Sequence, residues 1–190
     1  DDETPGAALP FFDGFESVSL SNAWVGISAG NGRIQVGEGE LAPFEGSGHV
    51  SVDATNNIYG LNELILTADL SGQTNVVLDF WENNYDSARE AMPVRFMDST
   101  NADGIAISGD GVTWHRLFEA SAVRSNYVNR SINLSAFAAT NGLAPDANFK
   151  IKFQQYDRYP LPIYGRCFDN VQLYDPARVA DVRLTVRESE

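Results

Sequence analysis

No segment longer than a dozen positions repeats apolar residues at i, i+3, i+4 and i+7, while short alternating or continuous apolar runs recur along all 190 residues. The pattern predicts strands over 32–36, 49–53, 63–69, 75–83, 104–108, 113–119, 127–133, 149–156 and 168–174. Between them stand Glu45-Gly46-Ser47-Gly48, Ser71-Gly72, Ser108-Gly109-Asp110-Gly111 and Asp146-Ala147-Asn148, the residue types that tight turns select. Asp110-Gly111 is the sharpest hairpin signal, because glycine takes a positive φ without steric cost. Helix is confined to a short piece over Leu134–Ala139, which Asn133 or Ser135 could cap. Strands at this spacing, without a repeat of about 40 residues, predict an all-β antiparallel sandwich of two packed sheets, a jelly roll, rather than a propeller. The module spans residues 11–174. Residues 1–10, rich in Pro, Gly and Asp, read as a linker. From Asp175-Pro176 onward the chain turns and then alternates Val179, Val182, Leu184 and Val186 with charges, as an edge strand or a linker to a further module does.

The same alternation separates a core face from an outer face. Val76, Leu78 and Phe80 read as core, leaving Val77, Asp79, Trp81 and Asn83 opposite. Phe149, Ile151 and Phe153 read as core, leaving Lys150, Lys152, Gln154 and Tyr156 opposite, with Arg158 continuing the series. Aromatic rings among amides and cations form a sugar-binding platform: ring faces stack on pyranose C–H groups while amides and guanidinium forks bond hydroxyls or carboxylates. The plain alternative is that a loop covers Trp81 and Tyr156. Two irregular insertions border this face, residues 83–93 with Tyr85 and Arg89, and residues 157–166 with Tyr159, Tyr164 and Arg166.

Composition then narrows the partners. Thirteen basic against 26 acidic residues give a net charge of −13, which opposes nucleic acid and anionic lipid unless the cations cluster. No apolar run approaches the roughly 18 residues a membrane span needs. Hydrophobic residues make up 43 % of the chain, enough for a sizeable core. The single cysteine, Cys167, excludes an intrachain disulfide and reads as a buried inert thiol, so stability rests on packing or on a hard cation. Abundant Asp, Asn, Ser and Gly with only two lysines suit a secreted protein, and the acidic start lacks the basic and apolar regions of a signal peptide, as a mature or excised end does.

Three stretches resemble the MAM-like or cleaved-adhesin-like jelly-roll module of secreted bacterial proteins. Phe12-Asp13-Gly14-Phe15-Glu16-Ser17 with Trp24 resembles its opening strand, and Gly104-Ile105-Ala106-Ile107-Ser108-Gly109-Asp110-Gly111-Val112-Thr113-Trp114 its central hairpin. Phe153-Gln154-Gln155-Tyr156-Asp157 followed by Phe168-Asp169-Asn170-Val171-Gln172-Leu173 is similar to its closing strands. The resemblance implies a structural calcium ion between first and last strands. Calcium takes six to eight hard oxygens, and Glu16 and Asp169 stand where the family's ligands would, with Asp13 and Asp53 as further donors and Gly46-Ser47-Gly48 supplying carbonyls. Against this, Asp13 and Asp169 could simply accept backbone amides in turns.

Catalysis is poorly supported. Leu78-Asp79-Phe80-Trp81-Glu82 resembles the E-x-D-x-x-E strand of laminarinase-like glycoside hydrolases, but Val77 stands at the first acidic position. Asp79 and Glu82 also have opposite parity on a regular strand. His49 and His115 lie in no catalytic motif. The expectation is a non-catalytic accessory module of a secreted bacterial protein, calcium-stabilised, that binds a polysaccharide, including an acidic one if its cations cluster. The alternatives are a protein-interaction or adhesion module beside a secreted peptidase or adhesin, and a jelly-roll hydrolase or lyase.

Overall fold

A computed structural model describes residues 6–85, 90–119 and 126–178. Twelve strands and one short helix follow in chain order: β1 (Phe11–Asp13), β2 (Trp24–Gly30), β3 (Gly32–Gly37), β4 (His49–Ala54), β5 (Gly60–Ala68), β6 (Val77–Asn84), β7 (Arg95–Met97), β8 (Gly104–Ser108), β9 (Thr113–Glu119), β10 (Val128–Asn133), α1 (Leu134–Thr140), β11 (Phe149–Asp157) and β12 (Arg166–Tyr174). They form two antiparallel sheets. The front sheet runs β10-β6-β12-β4-β3, with β1 also on β12, and the back sheet runs β2-β5-β11-β8-β9-β7. The jelly-roll sandwich predicted from the apolar pattern is therefore the fold. Ala7, in the stretch read as a linker, bridges to Ala68 of β5, and residues 179–190 of the tail lie outside the described residues.

The core is where the alternation places it. Val76, Leu78 and Phe80 of the front sheet and Phe149, Ile151 and Phe153 of the back sheet are fully buried. Phe153 is the hub of the layer between the sheets, with ring centroids 5.4 Å from Phe80, 5.0 Å from Phe168 and 5.7 Å from Trp24. These are tilted or edge-on pairs, the geometry that aromatic quadrupoles favour. Asn133 caps α1 by accepting from the Ala136 amide at 2.8 Å. At the β8–β9 hairpin the Asp110 carboxylate accepts the Val112 and Thr113 amides, and Gly111 takes φ 73°.

Three strands carry too weak a pattern to be read in advance. β1 and β7 have three residues each, and β2 (WVGISAG) interrupts its alternation with small residues. β2 forms because β5 pairs with it from Trp24↔Leu66 to Gly30↔Gly60. It is an edge strand, and Val25 and Ile27 remain 52 % and 45 % exposed.

The outer face of the back sheet does not stand open. Residues 92–103 cross it, with Met92 and Ala102 packed against Ala106 and Trp114. Lys152, expected on an open platform, is 2 % exposed: its ammonium pairs with Glu63, donates to Asp98 O at 2.8 Å and lies 4.0 Å from the Trp114 ring centroid. Gln154 is likewise buried and donates to Thr100 O and Ala102 O at 2.6 and 2.7 Å. Both residues point away from the core as expected, but the crossing segment exposes backbone carbonyls that need donors, and these two side chains supply them.

Lys152→Met leaves Glu63 buried without its cation and should lower stability by about 3–5 kcal/mol. The double variant Lys152→Met/Glu63→Leu should recover most of that loss in urea denaturation. Equal instability of single and double variants would contradict the role given to this ion pair.

Candidate functional site

The front sheet turns its other face outward. Its outer row on β6 is Asp79, Trp81 and Asn83, beside Ser131 and Asn129 of β10 and Gln172, Asp169 and Cys167 of β12. One irregularity organises this surface. Between Asp169 and Gln172 the register of β12 against β6 shifts, with Asn170 in the left-handed region at φ 46°. Asparagine tolerates that conformation better than most residues, and the extra residue bends the strand. Before the bulge β12 pairs with β4; after it, with β1.

At the bulge the Asp169 carboxylate accepts the amides of Phe44 and Glu45 at 2.8 and 3.2 Å, and that of Asn170 at 2.7 Å. Glu16 accepts both the amide and the hydroxyl of Ser47, at 2.8 and 2.7 Å. Two carboxylates thus tie the β3–β4 loop across the sheet. Burial raises the Asp169 carboxyl above its ordinary range and the charge of Glu16 pushes the same way, although three backbone amides oppose them. The Ser47 bonds lower Glu16.

The tied loop lays Phe44 on Trp81, with ring centroids 3.7 Å apart and planes within 13°. Trp81 therefore offers no open ring face there, which is the covered outcome rather than the platform. Beside this stack lies a cleft of about 240 Å³ lined by Leu41, Ala42, Pro43, Asn83, Tyr85, Asn126 and Tyr127. Asn83 is 5 % exposed, and its Oδ1 has no hydrogen-bond partner. An unmet acceptor in a buried amide costs about 1–3 kcal/mol, and because Oδ1 is itself covered, a ligand donor reaches it only if the Asn83 side chain turns toward the cleft. Behind the cleft, Tyr127 Oη lies 2.6 Å from His49 Nδ1. Burial raises the Tyr127 phenol, lowers His49 and pushes the Cys167 thiol up to about 12, so all three are neutral near pH 7.

No protein-family model matches the chain, and no curated protein does. Solved structures do. The CBM22-1 xylan-binding domain of Paenibacillus barcinonensis Xyn10C superposes with a TM-score of 0.52 at 12 % identity, over 89 % of this chain and 96 % of that one. TmCBM61, in complex with β-1,4-galactotriose, gives 0.54 at 14 % identity over 85 % and 94 %. The family 11 carbohydrate-binding module of Clostridium thermocellum Lic26A-Cel5E gives 0.50 at 19 % over 86 % and 92 %. What is shared is the fold. The MAM-like resemblance rests on the sequence motifs alone.

The remaining expected site residues fall in three places. Tyr156, Arg158, Tyr159 and Tyr164 gather at one end of the sandwich, where Tyr156 stacks on Tyr59 at 4.8 Å. They do not share a face with Trp81, because β11 and β6 belong to opposite sheets. Arg166 is no surface cation: it shares the core-facing parity of Phe168, is fully buried, and its guanidinium lies 3.9 Å from Glu82. Arg89 lies outside the described residues.

Two expected metal ligands are otherwise engaged. Asp13 accepts from the Phe15 amide and from Trp24 Nε1, at 2.9 and 3.0 Å. Asp53 forms a two-pronged pair with Arg33 and accepts the Leu161 amide. Among the described residues no three His, Cys, Asp or Glu side chains group as a metal site. Glu82 is buried and paired with Arg130, while Asp79 on the outer face accepts from Asn129, so the two do not flank a common point. Phe44, Tyr127 and Asn126 were missed as site residues. The apolar run Leu41-Ala42-Pro43-Phe44 inside a Gly- and Glu-rich loop was the available signal for the first.

With its thiol protonated and buried, Cys167 should stay unmodified by an aromatic disulfide reagent at pH 8 while the urea-unfolded chain reacts fully. Stoichiometric reaction of the folded protein would contradict this burial.

Proposed function

We propose that the protein is a non-catalytic carbohydrate-binding module whose ligand, a polysaccharide, enters the cleft beside the Phe44–Trp81 stack. The cleft itself, lined by the Asn83 amide and the rings of Tyr85 and Tyr127, carries this reading. A pyranose presents C–H faces to rings and hydroxyls to amides, and residues of both kinds line the cleft. The neighbours bear on it through their printed ligands, xylan and β-1,4-galactotriose, on the same fold at low identity. Glu82 inside the sandwich and Asp79 outside it favour binding over glycoside hydrolysis, which needs two carboxyl groups flanking one bond. A module of this kind acts by holding a linked domain near its substrate in a secreted protein, raising effective concentration without new chemistry.

A bound calcium ion belongs to the same proposal, narrowed to Glu16 and Asp169. Two like charges brought to one loop, one of them in a buried carboxyl, are stabilised by a cation between them. Carbonyls of Gly46, Ser47 and Gly48 would complete an oxygen shell. The ion would hold the loop that carries Phe44 and one wall of the cleft. A protein-contact role is the second reading, favoured by a groove of about 440 Å³ of mixed lining, with Val18, Leu20, Ile34 and Val36 beside Ser19 and Ser28, along β2 and β3.

Titration calorimetry against xylan, galactan and mixed-linkage glucan oligosaccharides should find a ligand whose affinity falls at least tenfold in Tyr85→Ala and in Asn83→Ala. Silence on every glycan overturns the cleft reading and favours the protein-contact one. Saturating calcium should raise Tm by about 5–10 °C over the chelated protein, from about 2.7 kcal/mol at a hundredfold excess over Kd and about 2–4 °C per kcal/mol. Glu16→Gln should abolish the shift, and an unchanged Tm with chelator removes calcium from the account.

A further inference from the structure

At the end of the sandwich where β5 begins and β11 ends, four tyrosines and one arginine form a continuous series. Tyr156 stacks on Tyr59 with centroids 4.8 Å apart and planes within 17°. The Arg158 guanidinium carbon lies 5.6 Å from the Tyr59 ring centroid and 5.2 Å from that of Tyr159, and Tyr159 meets Tyr164 edge-on at 5.1 Å. Tyr59 remains 44 % exposed, and Arg158 is exposed.

Most described cations of this acidic chain are already neutralised. Arg33, Arg116, Arg130 and Lys152 form ion pairs, and Arg166 is buried beside Glu82. Among the described residues Arg95, Lys150, Arg158 and Arg178 have no carboxylate partner, and of these four Arg158 is the one seated on aromatic rings. Ring contacts occupy the faces of a guanidinium and leave its N–H edge free. They also restrict a side chain that would otherwise lose much rotamer freedom on binding, so the fork is pre-organised. An N–H edge of this kind matches the two oxygens of a carboxylate.

We propose that this tyrosine–arginine series is a second binding site, which takes the carboxylate of a uronate residue in an acidic polysaccharide. A glycan suits it because the flanking rings offer stacking surface for a pyranose and the series adjoins the cleft: the Tyr85 amide donates to Gly165 O at 2.9 Å, next to Tyr164. The choice of a glycan over an acidic peptide rests on the cleft reading; the anion preference of Arg158 does not.

The test is titration calorimetry with galacturonate, glucuronate and mannuronate oligosaccharides, each beside its carboxyl-reduced form. At least one acid form should bind tenfold or more tightly than its reduced form. Arg158→Ala should abolish that preference, Arg158→Lys should restore it only in part, and the melting temperature should not move. Tyr85→Ala should weaken neutral-glycan binding and keep the acid preference. An unaltered protein that binds neutral glycans but shows no preference for any acid form overturns this site alone, and an acid preference without neutral-glycan binding overturns the cleft alone. Arg158-dependent binding of oligoglutamate without any uronate preference also overturns the proposal, in favour of an acidic protein partner.

Discussion

Asp169 is the group on which the outer face of the front sheet depends. A strand that kept its register would place this carboxylate in a flat polar row facing water. The bulge that begins after it bends β12 and lets one side chain accept three amides, two of them from a loop 124 and 125 residues earlier in the chain. Those bonds bring Phe44 onto Trp81, and the loop so held supplies Leu41, Ala42 and Pro43 as one wall of the cleft. A fixed wall matters for a binding site, because ordering a loop at the moment of association would subtract from affinity.

The two sheets meet the problem of their outer faces differently. The back sheet is roofed by residues 92–103, whose backbone carbonyls are met by Lys152 and Gln154 and whose apolar side chains pack on Trp114. The roof turns the middle of that face, over Lys152 and Gln154, into a third layer. The front sheet is roofed over part of its width only, and the cleft lined by Asn83, Tyr85 and Tyr127 lies where the covering stops. Recognition surface here is what incomplete covering leaves behind.

Much of the fold could be read from the chain because period-two alternation is local information. The cores of β6 and β11, the single short helix with its Asn133 cap and the Asp110-Gly111 hairpin all follow from neighbouring residues. The site was legible only in part, because outer-face exposure is decided by segments far away in sequence. Lys152 and Trp81 were placed on the correct side of their strands, yet residues 92–103 and Phe44 cover them. Arg166 was misplaced for another reason: parity put it inside, and a charged residue at an inward position reads as an outward one unless the polar neighbours Glu82, Gln155 and Asp157 are recognised as sharing that end of the interior. Asp13 shows the opposite case, where the turn bond that spacing allowed is the one formed.

The exposed edge strand β2 gives the acidic composition a further meaning. An open edge with Val25 and Ile27 half-exposed is a template on which a second chain could extend the sheet. Each copy carries −13, so two copies meeting edge to edge would bring together −26 of formal charge. The surplus of carboxylates thus acts as a colloidal guard for a strand that has no proline and no charged side chain of its own. As the medium acidifies toward the isoelectric point near 4.4 the guard is withdrawn while the edge is unchanged, so self-association is least opposed there.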